Sequence, residues 1–419
     1  MHIWYLNHYA KPSSFGTPGR SLYLARALMN MGHEPLIVAA SDHHTRIKPA
    51  PVEDINHVTA YDGVSYYHVP TRPYTGNGIY RVLNMLDYSR EVEHLAGKVR
   101  SGELPKPDIL IPSCVHIFAY PAAKKLARLC GAKVIFEVRD IWPLSLVELA
   151  GVPPWHPLIL WMSHIEKMAY RETDAVVSLV PDAVEYMSKK GLSPDRYHYI
   201  PNGVDLEEWN PPFEPLPEEH QAVFDKCRES GKMIVVYAGA HGPPNALDQI
   251  LDLKKVLKSR EAPYHFILIG SGVDKKKLVD RQHHDDIDFV SFLPRIPKKS
   301  VIFAILQADV CFMSLKDSPV FRFGISPNKL GDYLIAGRPI LYAVKASNNP
   351  VEDSGSGISI EPYNVMQLDD ALRAFITMTD FERKEMGRRG KSYALENLEW
   401  SILGKRYGAL CEFLAGSIG

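Results

Sequence analysis

A lysine stands where helices rarely keep one. In Ser326-Pro-Asn-Lys329-Leu, Ser326 has the character of an N-cap and Pro327 suits the first helical position, which puts Lys329 on the first turn. A cation there opposes the helix macrodipole by about 0.3–1 kcal/mol. The Glu or Gln usual at that place would instead close a capping box. Free N–H groups beside a lysine make a receptor for an anion such as a phosphate, so Ser326, Pro327, Asn328 and Lys329 are candidate anion-binding residues. Asp332 shares the face three residues on, and it either neutralises Lys329 at the surface or serves a partner of its own.

Other chemistry sits at strand ends. Lys133–Glu137 reads as a strand that delivers Arg139 and Asp140 at its carboxyl end, where they meet a ligand or else each other in a salt bridge. Glycine loops recur at Gly16-x-x-Gly19, Gly239-Ala-His241-Gly242 and Gly270-Ser-Gly272. Such loops let backbone approach a phosphate or sugar closely. None has the G-x-G-x-x-G spacing of a dinucleotide site, and Lys275 occupies the third glycine's place in the last. His283-His-Asp-Asp286 lacks a matching partner and reads as a solvated loop, so no metal is expected.

The elements that must position these residues follow from periodicity. His2–Leu6 is a buried strand, a Pro/Gly-rich loop follows, Leu24, Leu28 and Met31 repeat at helical spacing, and Pro35–Ala39 is a second strand. That is a βαβ unit, with more strands at Val64–His68, Asp108–Pro112, Ala175–Leu179 and Tyr197–Pro201. Pro157–Ala169 carries an apolar stripe that suits either core or a membrane surface. Residues 206–231 hold four prolines among glutamates and read as a linker. The pattern then restarts: Met233–Ala238, His265–Ile269, Asp288–Phe292, Asp309–Met313 and Ile340–Val344 are strands, and Ala246–Leu257 is an amphipathic helix. The lysine-bearing helix ends at Gly337 and Pro339, after about three turns. Glu396–Leu414 closes the chain as a helix with Trp400, Leu403, Tyr407, Leu410 and Leu414 on one face.

The division expected is 1–205, a linker 206–231, 232–395, and a terminal segment 396–419, which fits the size range of domains in a 419-residue chain. Lys plus Arg (48) nearly balances Asp plus Glu (49), which argues against a dedicated nucleic-acid binder. The five scattered cysteines read as reduced core residues of a cytoplasmic protein. The N-terminus runs straight into a strand rather than a signal peptide, and no apolar run is long enough to span a bilayer.

Taken in order, these motifs resemble a known family. They are the Gly16 loop with Gly32-His-Glu34, Ile165-Glu166 through Asp174-Ala-Val176, Ile200-Pro-Asn-Gly-Val-Asp205, Tyr237-x-Gly239, Ile269-Gly-x-Gly272, Phe292-Leu-Pro294, Ala308-Asp-Val310 and Lys329 through Pro339. The chain looks like a family 4 retaining glycosyltransferase. It is most similar to the branch with Arg-Asp-x-Trp-Pro and Ser-Pro-Asn-Lys-Leu, which builds bacterial surface polysaccharides and often adds acetamido-deoxy sugars. The resemblance implies an α/β GT-B fold of two facing Rossmann-like doubly wound domains, with the C-terminal helix crossing back to the first.

It also implies a nucleotide-diphosphate sugar, commonly a UDP sugar, in the second domain and a saccharide or polyprenyl-diphosphate-linked acceptor in the first. No cofactor beyond this co-substrate is implied, and a peripheral contact with the inner face of the cell membrane is. Carried over residue by residue, the donor site takes Gly16, Gly239, His241, Gly242, Arg295, Ile296, Ser326, Pro327, Asn328, Lys329 and Asp332, with Arg139, Asp140 and Lys329 catalytic. Arg295 and Ile296 fall where the base is read, and Asp332 where ribose hydroxyls are accepted. The chain departs from the pattern in three places. Gly324 replaces the first of two glutamates, Arg139-Asp140 replaces a histidine, and His241 and Asn245 replace an Arg and a Lys that hold the diphosphate. A nucleotide-sugar epimerase of the same architecture and a non-catalytic sugar-nucleotide binding subunit are the alternatives.

Overall fold

The computed structural model describes residues 1–76, 78–257 and 261–416. The last three residues of the expected 396–419 segment lie outside them. The chain divides into two compact units: unit 1 holds Met1–Asn202, Phe323–Ile325 and Trp400–Gly419, and unit 2 holds Gly203–Arg322 and Ser326–Glu399. Each is an α/β assembly on a Rossmann-like sheet.

In unit 1 the strands are β1 (His2–Leu6), β2 (Glu34–Ala40), β3 (Val58–Tyr61), β4 (Val64–Val69), β5 (Ile109–Cys114), β6 (Lys133–Val138), β7 (Ala175–Ser178) and β8 (Tyr197–Tyr199). Their order is β3-β4-β2-β1-β5-β6-β7-β8. Parallel strands covered on both faces must be apolar throughout, and Ile3, Trp4, Ile37, Val38, Ile109 and Ile111 are all fully buried. Strand β3 is the exception. It pairs antiparallel with β4 at the edge, and its residues are at most half-buried. Asp62 and Gly63, with φ of 53° and 80°, make the two-residue turn that joins them.

The Trp400–Gly416 helix packs in unit 1 against the Arg20–Met29 helix. Its expected face of Trp400, Leu403, Tyr407, Leu410 and Leu414 is buried. Gly404 and Gly408 allow the approach: a Cβ on the first would lie 2.2 Å from Ala27 Cβ, and on the second 2.4 Å from Met31 Cε. The helix begins later than the sequence pattern places it. Glu396 belongs to the preceding Asp380–Asn397 helix, which opens on a Thr379/Glu382 capping box.

In unit 2 the strands are β9 (Met233–Ala238), β10 (Tyr264–Ile269), β11 (Val290–Leu293), β12 (Val310–Ser314), β13 (Ile340–Ala343) and β14 (Gly357–Ile360), all parallel, in the order β11-β10-β9-β12-β13-β14. The order reverses at β9, and the carboxyl ends beside such a switch point are where these sheets take ligands.

Two expectations fail here for local reasons. Residues 206–231 are not a bare linker, because Glu218–Glu229 is a helix packed on β9 through Phe224 and Cys227, both buried. Ala246–Leu257 is not one helix either. Ala246 takes φ 46°, helix starts only at Asp248, and it restarts at Leu253 after a break at Asp252. Pro243 and Pro244, just before, set up a short turn instead.

Candidate functional site

The lysine-bearing helix of unit 2 spans Asn328–Ile335, one residue later than its sequence suggests. Pro327, not Ser326, is the N-cap, and no side chain caps the helix. Proline has no N–H for the helix to lose, so the start slides to Asn328 and leaves the first N–H groups without a capping side chain. At the other end Gly337 takes φ 65° and its N–H bonds Leu334, as a C′ glycine should.

Lys329 does not pair with Asp332. Its ammonium donates to the Tyr237 hydroxyl and to Asn245 Oδ1, each at 2.7 Å, and lies 4.4 Å from the Tyr237 ring centroid. The Tyr237 hydroxyl in turn donates to the Ala240 carbonyl at 2.8 Å. Both partners are neutral, and burial lowers the Lys329 pKa to about 7. Asp332 instead forms an ion pair with Lys298, whose ammonium also lies 4.0 Å from Glu208. The neutral Lys329–Asp332 reading is thereby excluded.

The glycine loops fit around that ammonium. A Cβ on Gly239 would stand 3.0 Å from Lys329 Nζ and 3.1 Å from the Tyr237 hydroxyl. A Cβ on Gly270, whose φ is 155°, would lie 1.9 Å from the Gly239 carbonyl oxygen, and one on Gly272 would lie 2.2 Å from that of His241. The loops after β9 and β10 therefore touch backbone to backbone, tied by Gly239 N–H to Ile269 O and His241 N–H to Ser271 O. The Tyr333 hydroxyl accepts the Ala238 N–H at 2.9 Å, which fixes the helix to the end of β9.

His241, which stands where the family holds the diphosphate with a cation, keeps its side chain inside the fold. Its ring is fully buried between Tyr237 and Phe292, both nitrogens lack a partner among the described residues, and burial with Lys275 and Lys329 nearby lowers its pKa to about 4. It supports the loop as a neutral ring. Gly242 borders a hollow of about 300 Å³ lined also by Asp248, Asp274, Lys277 and Lys316. Arg295 is exposed and Ile296 buried in the loop after β11. Gly324 has φ 96°, a conformation that a glutamate side chain would strain, which accounts for the missing carboxylate.

Gly16, Arg139 and Asp140 belong to unit 1. The space beside Gly16 (φ 143°) is filled by the Lys11 methylenes, 2.8 Å from where a Cβ would stand. Arg139 is half-buried, Asp140 is exposed, and no ion pair joins them among the described residues. The strand that carries them is anchored by the fully buried Glu137, two residues before Arg139. Glu137 takes Arg20 Nε at 2.8 Å, Ser113 Oγ at 2.9 Å and the Tyr5 hydroxyl. Arg20 also donates to the carbonyls of Ile200 and Pro201 and faces the Trp400 ring at 5.3 Å. Burial alone would raise the Glu137 pKa, but Arg20 holds it below the ordinary carboxylate value. Sequence reading missed this clamp and the roles of Tyr237 and Lys298. The Tyr237-x-Gly239 motif marked the first of these, and nothing local marks the other two.

Residues 16–203 match the family model of the Glycosyl transferase 4-like domain. Over 282 residues the chain is 22% identical to WbjE of Pseudomonas aeruginosa, a probable glycosyltransferase by name, covering 67% of this chain and 68% of that one. Over 279 residues it is 20% identical to WcaI of Escherichia coli K12, provisionally named a colanic acid biosynthesis glycosyl transferase, covering 64% and 66%. Among solved structures, HepE of Anabaena in complex with UDP and glucose superposes with a TM-score of 0.66 at 12% identity, over 98% of this chain and 99% of that one. The fold is thus the α/β architecture of GT-B glycosyltransferases, and the chain has glycosyltransferase relatives. No helix among the described residues is long and apolar enough to cross a membrane.

Proposed function

We propose that the chain is a glycosyltransferase that takes a sugar from a UDP-linked donor seated in unit 2 and passes it, with retained configuration, to a saccharide or lipid-linked acceptor at unit 1. The observation that carries this is Lys329: a partly desolvated ammonium on the first turn of a helix without a side-chain cap, beside glycine loops and held, among the described residues, by neutral oxygens. Departure of a nucleoside diphosphate builds negative charge on the leaving group. Preorganised cations and N–H groups are what stabilise such charge. The UDP complex of the Anabaena protein and the relative named for colanic acid biosynthesis support the same direction.

In this reading Lys329 and the amides at Asn328 receive the diphosphate, with Ser326 and Pro327 shaping their approach. Asp332 accepts the ribose hydroxyls once Lys298 yields it, and the Arg295–Ile296 loop receives the base. Arg139 and Asp140 orient the transferred sugar or the acceptor hydroxyl. An N-acetylated deoxy sugar as donor and surface polysaccharide as product follow from the resemblance of the Ser-Pro-Asn-Lys-Leu branch. Peripheral membrane contact is supported by the exposed Leu149, Trp155, Leu160 and Trp161, with the exposed Lys167 and Arg171 following on the Pro157–Glu172 helix.

The test is UDP affinity and UDP-sugar turnover of Lys329→Ala. Loss of a charge-assisted bond predicts at least about tenfold weaker UDP binding. Unchanged affinity and turnover would take Lys329 out of the mechanism.

A further inference from the structure

The carboxylate read as the ribose acceptor, Asp332, is already engaged. It is bonded by Lys298, the first residue of the Lys298–Leu306 helix, and its side chain is only 17% exposed. A cation at that place opposes its own helix dipole, and Pro297 before it leaves this helix, too, without a side-chain cap. The position of Lys298 therefore serves its anions and not its helix.

Two carboxylates lie within reach of that ammonium. Asp332 bonds it directly, and Glu208 stands 4.0 Å away on the short Leu206–Trp209 turn. The chain just before this turn lies against the Asn328–Ile335 helix. A Cβ on Gly331 would stand 2.8 Å from Val204 Cγ2, and the Val204 N–H bonds the Leu398 carbonyl at 2.7 Å. Gly331 and Asp332 are neighbours, so this packing fixes both carboxylates near one lysine.

The backbone that carries Lys298 is tied down independently. Lys275 donates to the Leu293 carbonyl at 2.6 Å, His220 Nε2 lies 3.0 Å from the Pro294 carbonyl, and the Val301 N–H bonds the Pro297 carbonyl at 2.9 Å. Ile296 and Ser300 are buried on either side. The part free to move is the lysine's flexible four-carbon stem, which lets the ammonium pass from one carboxylate to the other with no main-chain bond broken.

A carboxylate that holds an ammonium has little left for sugar hydroxyls. Charge-assisted bonds between ions are stronger than bonds from neutral hydroxyls, so ribose must compete with Lys298 for Asp332. The competition eases when the displaced ammonium meets a second anion at once. Glu208 is placed to be that anion.

We propose that Lys298 is a latch on Asp332 that passes to Glu208 when the ribose hydroxyls of a nucleotide arrive, and so sets how strongly ribose is read. The proposal rests on the reading of unit 2 as a UDP-sugar site and adds to it a specificity-determining residue and its second seat.

The experiment measures, by calorimetry on the full chain, the affinities for UDP and for 2′,3′-dideoxy-UDP. Their ratio reads the ribose hydroxyls, because base and diphosphate are common to both. In Lys298→Met the ratio should rise at least threefold, since nothing competes for Asp332. In Glu208→Gln it should fall at least twofold, since the ammonium loses its second seat. In the double variant Lys298→Met/Glu208→Gln it should equal that of Lys298→Met, because Glu208 acts through the lysine.

An unchanged or lower ratio in folded Lys298→Met, or a Glu208→Gln effect that persists once the lysine is gone, would overturn the latch. If Lys298→Met fails to fold, Lys298→Gln is held to the same outcomes, and a ratio that Glu208→Gln leaves unchanged overturns it equally. UDP binding with an unchanged ratio removes the latch alone. Should the parent chain bind neither nucleotide, the UDP reading falls and the latch with it.

Discussion

Two cations of this molecule, one in each unit, are compensated in opposite ways. Arg20 in unit 1 meets a full carboxylate, Glu137, and fills its remaining donors with the carbonyls of Ile200 and Pro201. Lys329 in unit 2 meets a phenol and an amide oxygen and, among the described residues, no carboxylate. The first arrangement is closed: the charge is balanced, and nothing further can bind without displacing a partner. The second has no such counter-charge, and burial lowers its pKa to about 7. A buried, fully paired ion is a structural clamp, whereas a half-buried cation with no anion beside it is a candidate site.

The largest expected effect tests the closed half of that contrast. Arg20→Met should lower the stability of the fold by about 3–5 kcal/mol in urea titrations, because Glu137 is left charged and without its cation in the core. Replacing Glu137 by Leu in the same chain should recover most of the loss. If Arg20→Met alone were neutral, the clamp would be no clamp.

Lys329→Met should behave in the reverse sense. In the unfolded chain this lysine holds its proton up to about pH 10.5, but in the fold only up to about 7. Between those values the unfolded state carries the extra proton, so stability of the parent chain rises with pH through that window. The full cost of burying the charge is present below pH 7. Melting curves should therefore show the variant most stabilised relative to the parent below pH 7, with the difference closing toward pH 10. A pH-independent difference would mean that burial does not strain this ammonium.

The smallest effect expected is for Gly239→Ala. Its methyl group would crowd the end of the Lys329 side chain at 3.0 Å, a flexible group that can shift by a few tenths of an ångström. Stability should change by less than ~1 kcal/mol, while UDP affinity measured by calorimetry should weaken by about threefold to tenfold as the ammonium is displaced.

Much of this was legible in the chain. The strand and helix series, the glycine ends of β9 and β10, and the anomalous charge of Lys329 all show in local pattern. Other features were hidden for identifiable reasons. Strand β3 is only four residues long and half-exposed, so its alternation is weak, although Asp62-Gly63 announces a hairpin turn. The helix at Glu218–Glu229 was masked by the prolines and glutamates before it, which outweighed the three-residue spacing of Phe224 and Cys227. The burial of the His241 ring was hidden because a sequence records its place in a loop and not which way the ring turns.

The sequence by itself determined most of the elements and placed many of their ends to within a few residues, since capping, proline stereochemistry and apolar period act at that range. It also determined that Lys329 opens a helix. Only the tertiary structure decided what that lysine touches. Tyr237 and Asn245 are 92 and 84 residues away, and Asp332 is claimed by Lys298 34 residues before it. Partners at such separations are chosen by the packing of the sheet and its loops. That packing also draws the ammonium partly out of water, and so turns a charge misplaced on its helix into a candidate site.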